Sequence, residues 1–254
     1  MGGLGPLIGN STATVRQQFG NSTVVNFIAH SHVVLRAGGG WEVAFGAALP
    51  DLASMAGTRL DRSLLSPAVA GGVALHHRVD RVFHLLGAFH AGSAQIRDAL
   101  EDAGVPLGPA RAVGHAGYEL LLDGCLLTRA GVPEEFTQVL AGAPDVSAAT
   151  SADGAGRWRS LLAAMRDDRW WLDYRDPQQV ARALQRRLQA RRLLQFSEAQ
   201  LPVVTEVLAA ARPGVDAGTD EVVRAVAEAI RPDGPPARGG AHPRPHQGAA
   251  EGGR

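Results

Sequence analysis

The chain has 254 residues, with 25 basic and 25 acidic side chains and a formal net charge of zero. This balance does not favour a nucleic-acid-binding protein or one held at an anionic membrane surface. No apolar run approaches the roughly 20 residues that span a bilayer. The N-terminus also lacks the basic and apolar regions of a signal peptide, so we expect a cytoplasmic protein with no membrane or nucleic-acid partner.

The two ends are expected to lie outside the folded domain. Residues 1–22 are rich in Gly, Ser, Asn and Thr, which predicts a flexible N-terminal segment. Residues 232–254 are rich in Gly, Pro and Arg, which predicts a disordered tail. Between them we expect a single helical domain over residues 23–212 and a C-terminal helix within 213–231.

Apolar residues at helical spacing run through the whole central region. No stretch alternates between apolar and polar residues for long, so no strand is predicted and the expected class is all-α, a helical bundle. Helix-breaking residues at 104–106, 131–133 and 212–214 are each expected to end a helix. The expected helices cover residues 24–35, 41–55, 67–86 continuing into 88–103, 109–130, 134–140, 157–169, 177–196, 197–211 and 219–230.

One of these helices carries a polar stripe on an otherwise apolar surface. His76, Asp80 and His84 follow one another at four-residue steps, so their side chains line one face. His77 lies three residues before Asp80 and can also reach it. A second helix repeats the same spacing with His115, Glu119 and Asp123. Two facing helices that each carry such a polar stripe are how helical bundles build internal metal sites.

Imidazole and carboxylate groups together suit Zn, Mn or Fe, so a divalent metal is the expected cofactor. His30 and Asp51, which lie in two apolar upstream segments, are further candidates for ligands. His32 and His90 are expected to be structural. The alternative for Glu119 and Asp123, which are both set among leucines, is pairing with arginines rather than metal binding.

Several arginines cluster on the predicted helix 177–196. Arg182 and Arg186 are one turn apart, as are Arg187 and Arg191. A basic helix of this kind would steer an acidic protein partner towards it, and the alternative is a solvated arginine-rich face.

Five short segments carry a resemblance to a known family, over residues 24–212. They are Asn26-Phe-Ile-Ala-His-Ser-His32, Gly46-Ala-Ala-Leu-Pro-Asp51, His76-His-Arg-Val-Asp80, Glu119-Leu-Leu-Leu-Asp123 and Trp171-Leu-Asp-Tyr-Arg-Asp176. In their order and spacing they resemble the acyl carrier protein phosphodiesterases, also called acyl carrier protein hydrolases.

The resemblance implies a fold related to the HD-domain phosphohydrolases and a divalent metal that assists phosphodiester hydrolysis. The implied substrate is 4′-phosphopantetheine attached to an acidic acyl carrier protein, or a related phosphoester. We assign metal binding to His30, Asp51, His76, Asp80 and Asp123, and catalysis to Asp80, His77, His115 and Glu119. Partner binding is assigned to Arg182, Arg186, Arg187 and Arg191.

The chain departs from the family pattern at Ala47, Ala74, His84, Glu119 and Gly124. Two other functions therefore stay open beside hydrolysis. One is an enzyme that uses the scaffold for non-hydrolytic cyclisation or rearrangement of a small molecule. The other is a non-catalytic module that binds a carrier protein.

Overall fold

A computed structural model describes residues 26–231 of the chain. The predictions for the N-terminal segment 1–22 and the tail 232–254 lie outside the described residues. Within the described part the fold is helical, with no β-strand and one isolated bridge between Leu60 and Thr150. The all-α class is thereby confirmed, while the relation to HD-domain proteins stays a prediction.

Nine α-helices form the described part of the chain. They are α1 Phe27–Arg36, α2 Trp41–Met55, α3 Pro67–Phe83, α4 Gly87–Asp102, α5 Leu107–Leu126, α6 Val132–Ala141, α7 Ala155–Asp167, α8 Pro177–Leu188 and α9 Leu201–Ile230. Four 3₁₀ turns lie between them, at Arg62–Leu64, Ser147–Ala149, Trp170–Arg175 and Glu198–Gln200. None of these helices is both long enough and apolar enough to cross a membrane.

The pair formed by α2 and α3 is packed with the two backbones in direct contact. A side-chain carbon at Gly46 would lie 2.3 Å from the carbonyl oxygen of Val69, and one at Gly72 would lie 2.2 Å from that of Val43. Only glycine fits at both positions, because these distances are far below van der Waals contact. The close approach brings the residues that follow Gly46 next to the turn of α3 that carries His76.

The longest helix, α9, corrects one sequence prediction. Residues 212–214 were expected to end a helix, but α9 runs through Pro213 without interruption. Proline removes the hydrogen bond to the carbonyl of Ala209, yet both residues are exposed, so water can satisfy that carbonyl. The helix persists because its buried face continues across the proline, through Val204, Leu208, Ala211, Val215, Thr219, Val222, Val226 and Ile230.

Two other predicted boundaries are also wrong. The expected continuous run from 67 to 103 is broken at residues 84–86, which turn back on the last turn of α3. In a straight helix Phe83 and Phe89 would point about 120° apart, whereas the break brings their rings to a centroid distance of 4.9 Å in the core. The helix expected over 177–196 ends at Leu188, because none of residues 189–195 is buried and so no apolar face sustains the helix there.

Candidate functional site

His30, His76 and Asp80, which we call the first triad, come together from α1 and α3. Their ligand atoms all lie within 4.8 Å of one another. His30 Nε2 lies 3.0 Å from Asp80 Oδ1, and His76 Nε2 lies 3.4 Å from Asp80 Oδ2. The two imidazole rings stack at a centroid distance of 4.2 Å. Two of the predicted metal ligands from one helix are thus joined by a third that lies 50 residues away from Asp80 in the sequence.

Both histidines of the first triad are oriented through their other ring nitrogen. His30 Nδ1 donates to the carbonyl of Asn26 at 3.1 Å, and His76 Nδ1 donates to the carbonyl of Ala47 at 2.9 Å. A hydrogen bond from Nδ1 to a main-chain carbonyl fixes the tautomer and leaves Nε2 as the metal-binding nitrogen. The residues present therefore fit a metal ion, with both Nε2 atoms directed at the Asp80 carboxylate.

Asp51 lies behind His30 and is not a member of the triad. Its Oδ2 atom is 3.4 Å from His30 Nδ1, on the side of the ring away from the nitrogen that faces Asp80. Burial lowers the pKa of His30, but the nearby carboxylates of Asp51 and Asp80 outweigh it and raise that pKa to about 10. Asp51 therefore supports His30, and its predicted role as a direct ligand stays a prediction.

The first triad is open to solvent on one side. The side chains of His30 and His76 are 1% and 7% exposed, while that of Asp80 is 35% exposed. Burial alone would raise the pKa of Asp80, but the hydrogen bond and positive charge of His30 lower it to about 2. Burial lowers the pKa of His76, and the charge on His30 lowers it further. The carboxylate of Asp80 is accordingly the member of the triad that is most exposed to solvent.

His84, His115 and Glu119, which we call the second triad, form a separate cluster between α5 and the end of α3. His84 Nε2 lies 2.9 Å from Glu119 Oε1, and His115 Nε2 lies 3.4 Å from the same oxygen. The hydrogen bond with Glu119 raises the pKa of His115, although burial opposes the shift. The predicted stripe His76/Asp80/His84 is therefore divided between two clusters.

Asp123 has a different position from the one expected of a metal ligand. It is fully buried, and its two oxygens accept the backbone N–H groups of Ile28 at 3.3 Å and Ala29 at 2.8 Å. These are orphan donors at the start of α1, so Asp123 caps that helix across the core. Burial raises the pKa of Asp123 well above its ordinary value, despite the two backbone hydrogen bonds.

His77 lies outside both triads. Its side chain is exposed, and its ring meets that of His76 edge-on at a centroid distance of 5.2 Å. Nothing in this arrangement makes it a ligand, but it stands at the solvent side of the first triad. Of the two histidines expected to be structural, His32 is bonded to Glu135 at 2.9 Å and His90 is exposed on α4.

The arginine cluster is only partly available to a partner. Arg187 is buried, donates to the hydroxyl of Tyr174 at 2.7 Å and lies over the Tyr174 ring, so its assignment to partner binding is wrong. Arg191 lies beyond the end of α8, which removes its helical pairing with Arg187. Arg182 and Arg186 are exposed one turn apart on α8, and their assignment stays a prediction.

Sequence reasoning did not find the main-chain carbonyls of Asn26 and Ala47 or the ring of Phe89, which lies against both histidines of the second triad. No sequence signal marks a carbonyl, since every residue has one. Gly124, one of the departures from the family pattern, also has a structural reason: a side-chain carbon there would lie 2.1 Å from the carbonyl oxygen of Tyr174. Comparison of the chain with protein-family models, curated proteins and solved structures finds no match.

Proposed function

We propose that the protein is a metal-dependent hydrolase that acts on a phosphodiester, with the first triad as its metal site. The observation that carries the proposal is the convergence of His30 Nε2 and His76 Nε2 on Asp80 while both Nδ1 atoms are held by main-chain carbonyls. Two imidazoles and a carboxylate suit Zn, Mn or Fe. Three protein ligands with one side open are typical of catalytic rather than structural sites.

The side chains around the triad have distinct roles in this proposal. A divalent ion held there supplies Lewis-acid stabilisation of charge on phosphoryl oxygens and lowers the pKa of water. Asp80, as the exposed and ionised member, would help to hold the ion and orient the attacking water, whose proton would pass to solvent. The exposed imidazole of His77, beside His76, donates a proton to the leaving oxygen. Asp51 keeps His30 in its orientation.

The phosphodiester class follows from the resemblance of five sequence segments to acyl carrier protein phosphodiesterases. On that basis the proposed substrate is 4′-phosphopantetheine linked to a serine of an acidic carrier protein, or a related phosphoester. The exposed Arg182 and Arg186 on α8 give a positive surface of the sign that such a partner requires. The second triad, which contains His115 and Glu119, lies one helical turn along α3 from Asp80.

The test combines metal analysis of the full chain with hydrolysis of bis(p-nitrophenyl) phosphate and of phosphopantetheinylated carrier protein. We expect hydrolysis that depends on added Mn²⁺, Fe²⁺ or Zn²⁺ and that falls at least about 100-fold in Asp80→Ala, since the metal site supplies several kcal/mol of stabilisation. His90→Ala is the matched control, because this imidazole is exposed and outside both triads.

A chain that is folded but neither binds these ions nor is activated by them would overturn the proposal. That result would favour the non-hydrolytic enzyme or the carrier-binding module. Equal activity of Asp80→Ala and the wild-type protein would also overturn it, since hydrolysis would then take place elsewhere.

A further inference from the structure

The second triad contains a buried carboxylate that the protein leaves incompletely satisfied. Glu119 is 0% exposed, and its Oε1 atom contacts the Nε2 atoms of both His84 and His115. Its other oxygen, Oε2, is buried and has no hydrogen-bond partner among the described residues. Burying a carboxylate in this way is costly unless a cation compensates it. The cluster is therefore more than a solvated ion pair.

The spacing of the ligand atoms is close to what a small divalent ion requires. In a tetrahedral site with metal–ligand distances near 2.1 Å, two ligand atoms lie about 3.4 Å apart. The two nitrogen–oxygen distances in the second triad are 2.9 Å and 3.4 Å. All three ligand atoms lie within 4.8 Å of one another, so an ion can enter with small rotations of the imidazoles.

The surroundings of the triad also suit an ion with one open coordination position. The ring of Phe89 lies 4.8 Å from that of His84 and 5.0 Å from that of His115, so one aromatic wall restrains both imidazoles. The side chains of His84 and His115 are 34% and 41% exposed, which gives an ion access from solvent. Glu119 is therefore the buried ligand of the cluster, and His84 and His115 lie at its solvent-exposed side.

We propose that His84, His115 and Glu119 form a second metal site, separate from the first triad, that binds a divalent transition-metal ion of the Zn²⁺ type. Two imidazoles and one carboxylate are a ligand set found in catalytic zinc sites. The two sites share no ligand, although Asp80 and His84 are one turn apart, about 5–6 Å between their Cβ atoms. The proposal of a second site does not depend on the proposed hydrolase function, and the two can be tested separately.

The experiment counts Zn²⁺ ions bound to the full chain. Protein stripped with a chelator is titrated with Zn²⁺ against a chromogenic competitor, and bound metal is measured by mass spectrometry. A His242→Ala/His246→Ala background removes the two histidines that lie outside the described residues. We expect one fewer tightly bound ion in His115→Ala and in Glu119→Gln than in this background. The affinity should fall by more than the roughly 10–100-fold that loss of an outer-sphere partner causes.

Two further variants control the result. His90→Ala should bind as many ions as the background, because its imidazole is exposed on α4 and outside both triads. His76→Ala should lose the ion of the first triad and keep that of the second. With Co²⁺ in place of Zn²⁺, His76→Ala should show the visible absorption of a nitrogen- and oxygen-ligated ion. Adding His115→Ala should abolish that absorption.

The outcomes separate this proposal from the hydrolase proposal. If His115→Ala and Glu119→Gln, both folded by circular dichroism, bind as many ions as the background with unchanged affinity, the second site is overturned. A single ion that is lost in His115→Ala and kept in His76→Ala supports the second site and overturns the first. A single ion that is lost only in His76→Ala supports the first site and overturns the second.

Discussion

The two triads use the same ligand types with opposite burial. In the first, His30 and His76 are buried and the carboxylate of Asp80 is partly exposed. In the second, Glu119 is completely buried and His84 and His115 are partly exposed. An exposed carboxylate is solvated whether or not a cation is present, and it is free to take part in chemistry. The buried carboxylate of Glu119 has no solvent to replace its two imidazole partners, so it depends on them for its stability.

The largest change in unfolding free energy is expected when Glu119 loses its two histidine partners. In His84→Ala/His115→Ala the buried carboxylate loses both imidazole partners and is left unpaired, so the free energy of unfolding should fall by about 3–5 kcal/mol. Urea denaturation measures this change. Adding Glu119→Gln removes the buried charge and should recover most of the loss. A triple variant as unstable as the double variant would show that the charge is not the cause.

A smaller loss of unfolding free energy is expected at Asp123, another buried carboxylate on α5. It lies one turn beyond Glu119 on α5 and is satisfied by two backbone N–H groups rather than by imidazoles. Asp123→Ala leaves these donors of Ile28 and Ala29 unpaired in the core, which should cost about 2–3 kcal/mol of unfolding free energy. Asp123→Asn keeps one acceptor oxygen and should recover part of the loss.

Urea denaturation of Asp123→Ala and Asp123→Asn at neutral pH measures their unfolding free energies. The losses are compared with those of the Glu119 variants. If Asp123→Ala is as stable as the wild-type protein, the cap contributes nothing and this carboxylate is not the anchor of α1. The comparison between a carboxylate satisfied by amides and one satisfied by imidazoles would then fail.

The third effect, which is spread over several pH units, is the pH dependence of the metal-free first triad. The pKa of His30 is raised from 6.5 to about 10, so the stability it contributes is fully present below pH 6.5 and is lost as pH rises through 10. The pKa of Asp80 is lowered from 3.8 to about 2, so its contribution is present above pH 3.8 and is lost as pH falls through 2. The pair of His30 and Asp80 therefore stabilises the fold most between pH 3.8 and pH 6.5.

We expect the unfolding free energy of the metal-free protein to fall as pH rises from 6.5 towards 10, with a slope of at most about 1.4 kcal/mol per pH unit from this group. Denaturation in the presence of a chelator measures the slope. Asp80→Asn should flatten it, because the neutral amide no longer favours the charged form of His30. His115→Ala, in the second triad, should leave it unchanged. Identical slopes in Asp80→Asn and the wild-type protein would contradict the assignment.

The arginines of α8 show that a charge pattern in the sequence does not by itself identify a docking surface. Arg182, Arg186 and Arg187 share a helix, and their spacing alone gives no reason to separate them. The structure buries Arg187 against Tyr174 and leaves the other two exposed, because α8 turns that part of its surface towards the core. Charge patterns predict a docking face only after the packing direction of the helix is known.

Local spacing did determine part of each triad. The four-residue steps from His76 to Asp80 and from His115 to Glu119 are realised as contacts of 3.4 Å in each case. This succeeds because residues one turn apart on a helix are neighbours whatever the rest of the fold does. The helical class and most helix starts followed in the same way, as at Ser66, whose hydroxyl caps α3 at Val69.

Tertiary structure alone decided which groups from different helices meet. His30 joins Asp80, His84 turns to Glu119 and Asp123 caps α1, because these pairings depend on how closely and in what register the helices pack. That register is set at contacts such as Gly46 against Gly72, which no periodicity reveals. The sequence by itself determined that the candidate ligands lie on two polar helix faces. The packing of α1, α3 and α5 decided that those faces form two clusters of opposite burial rather than one.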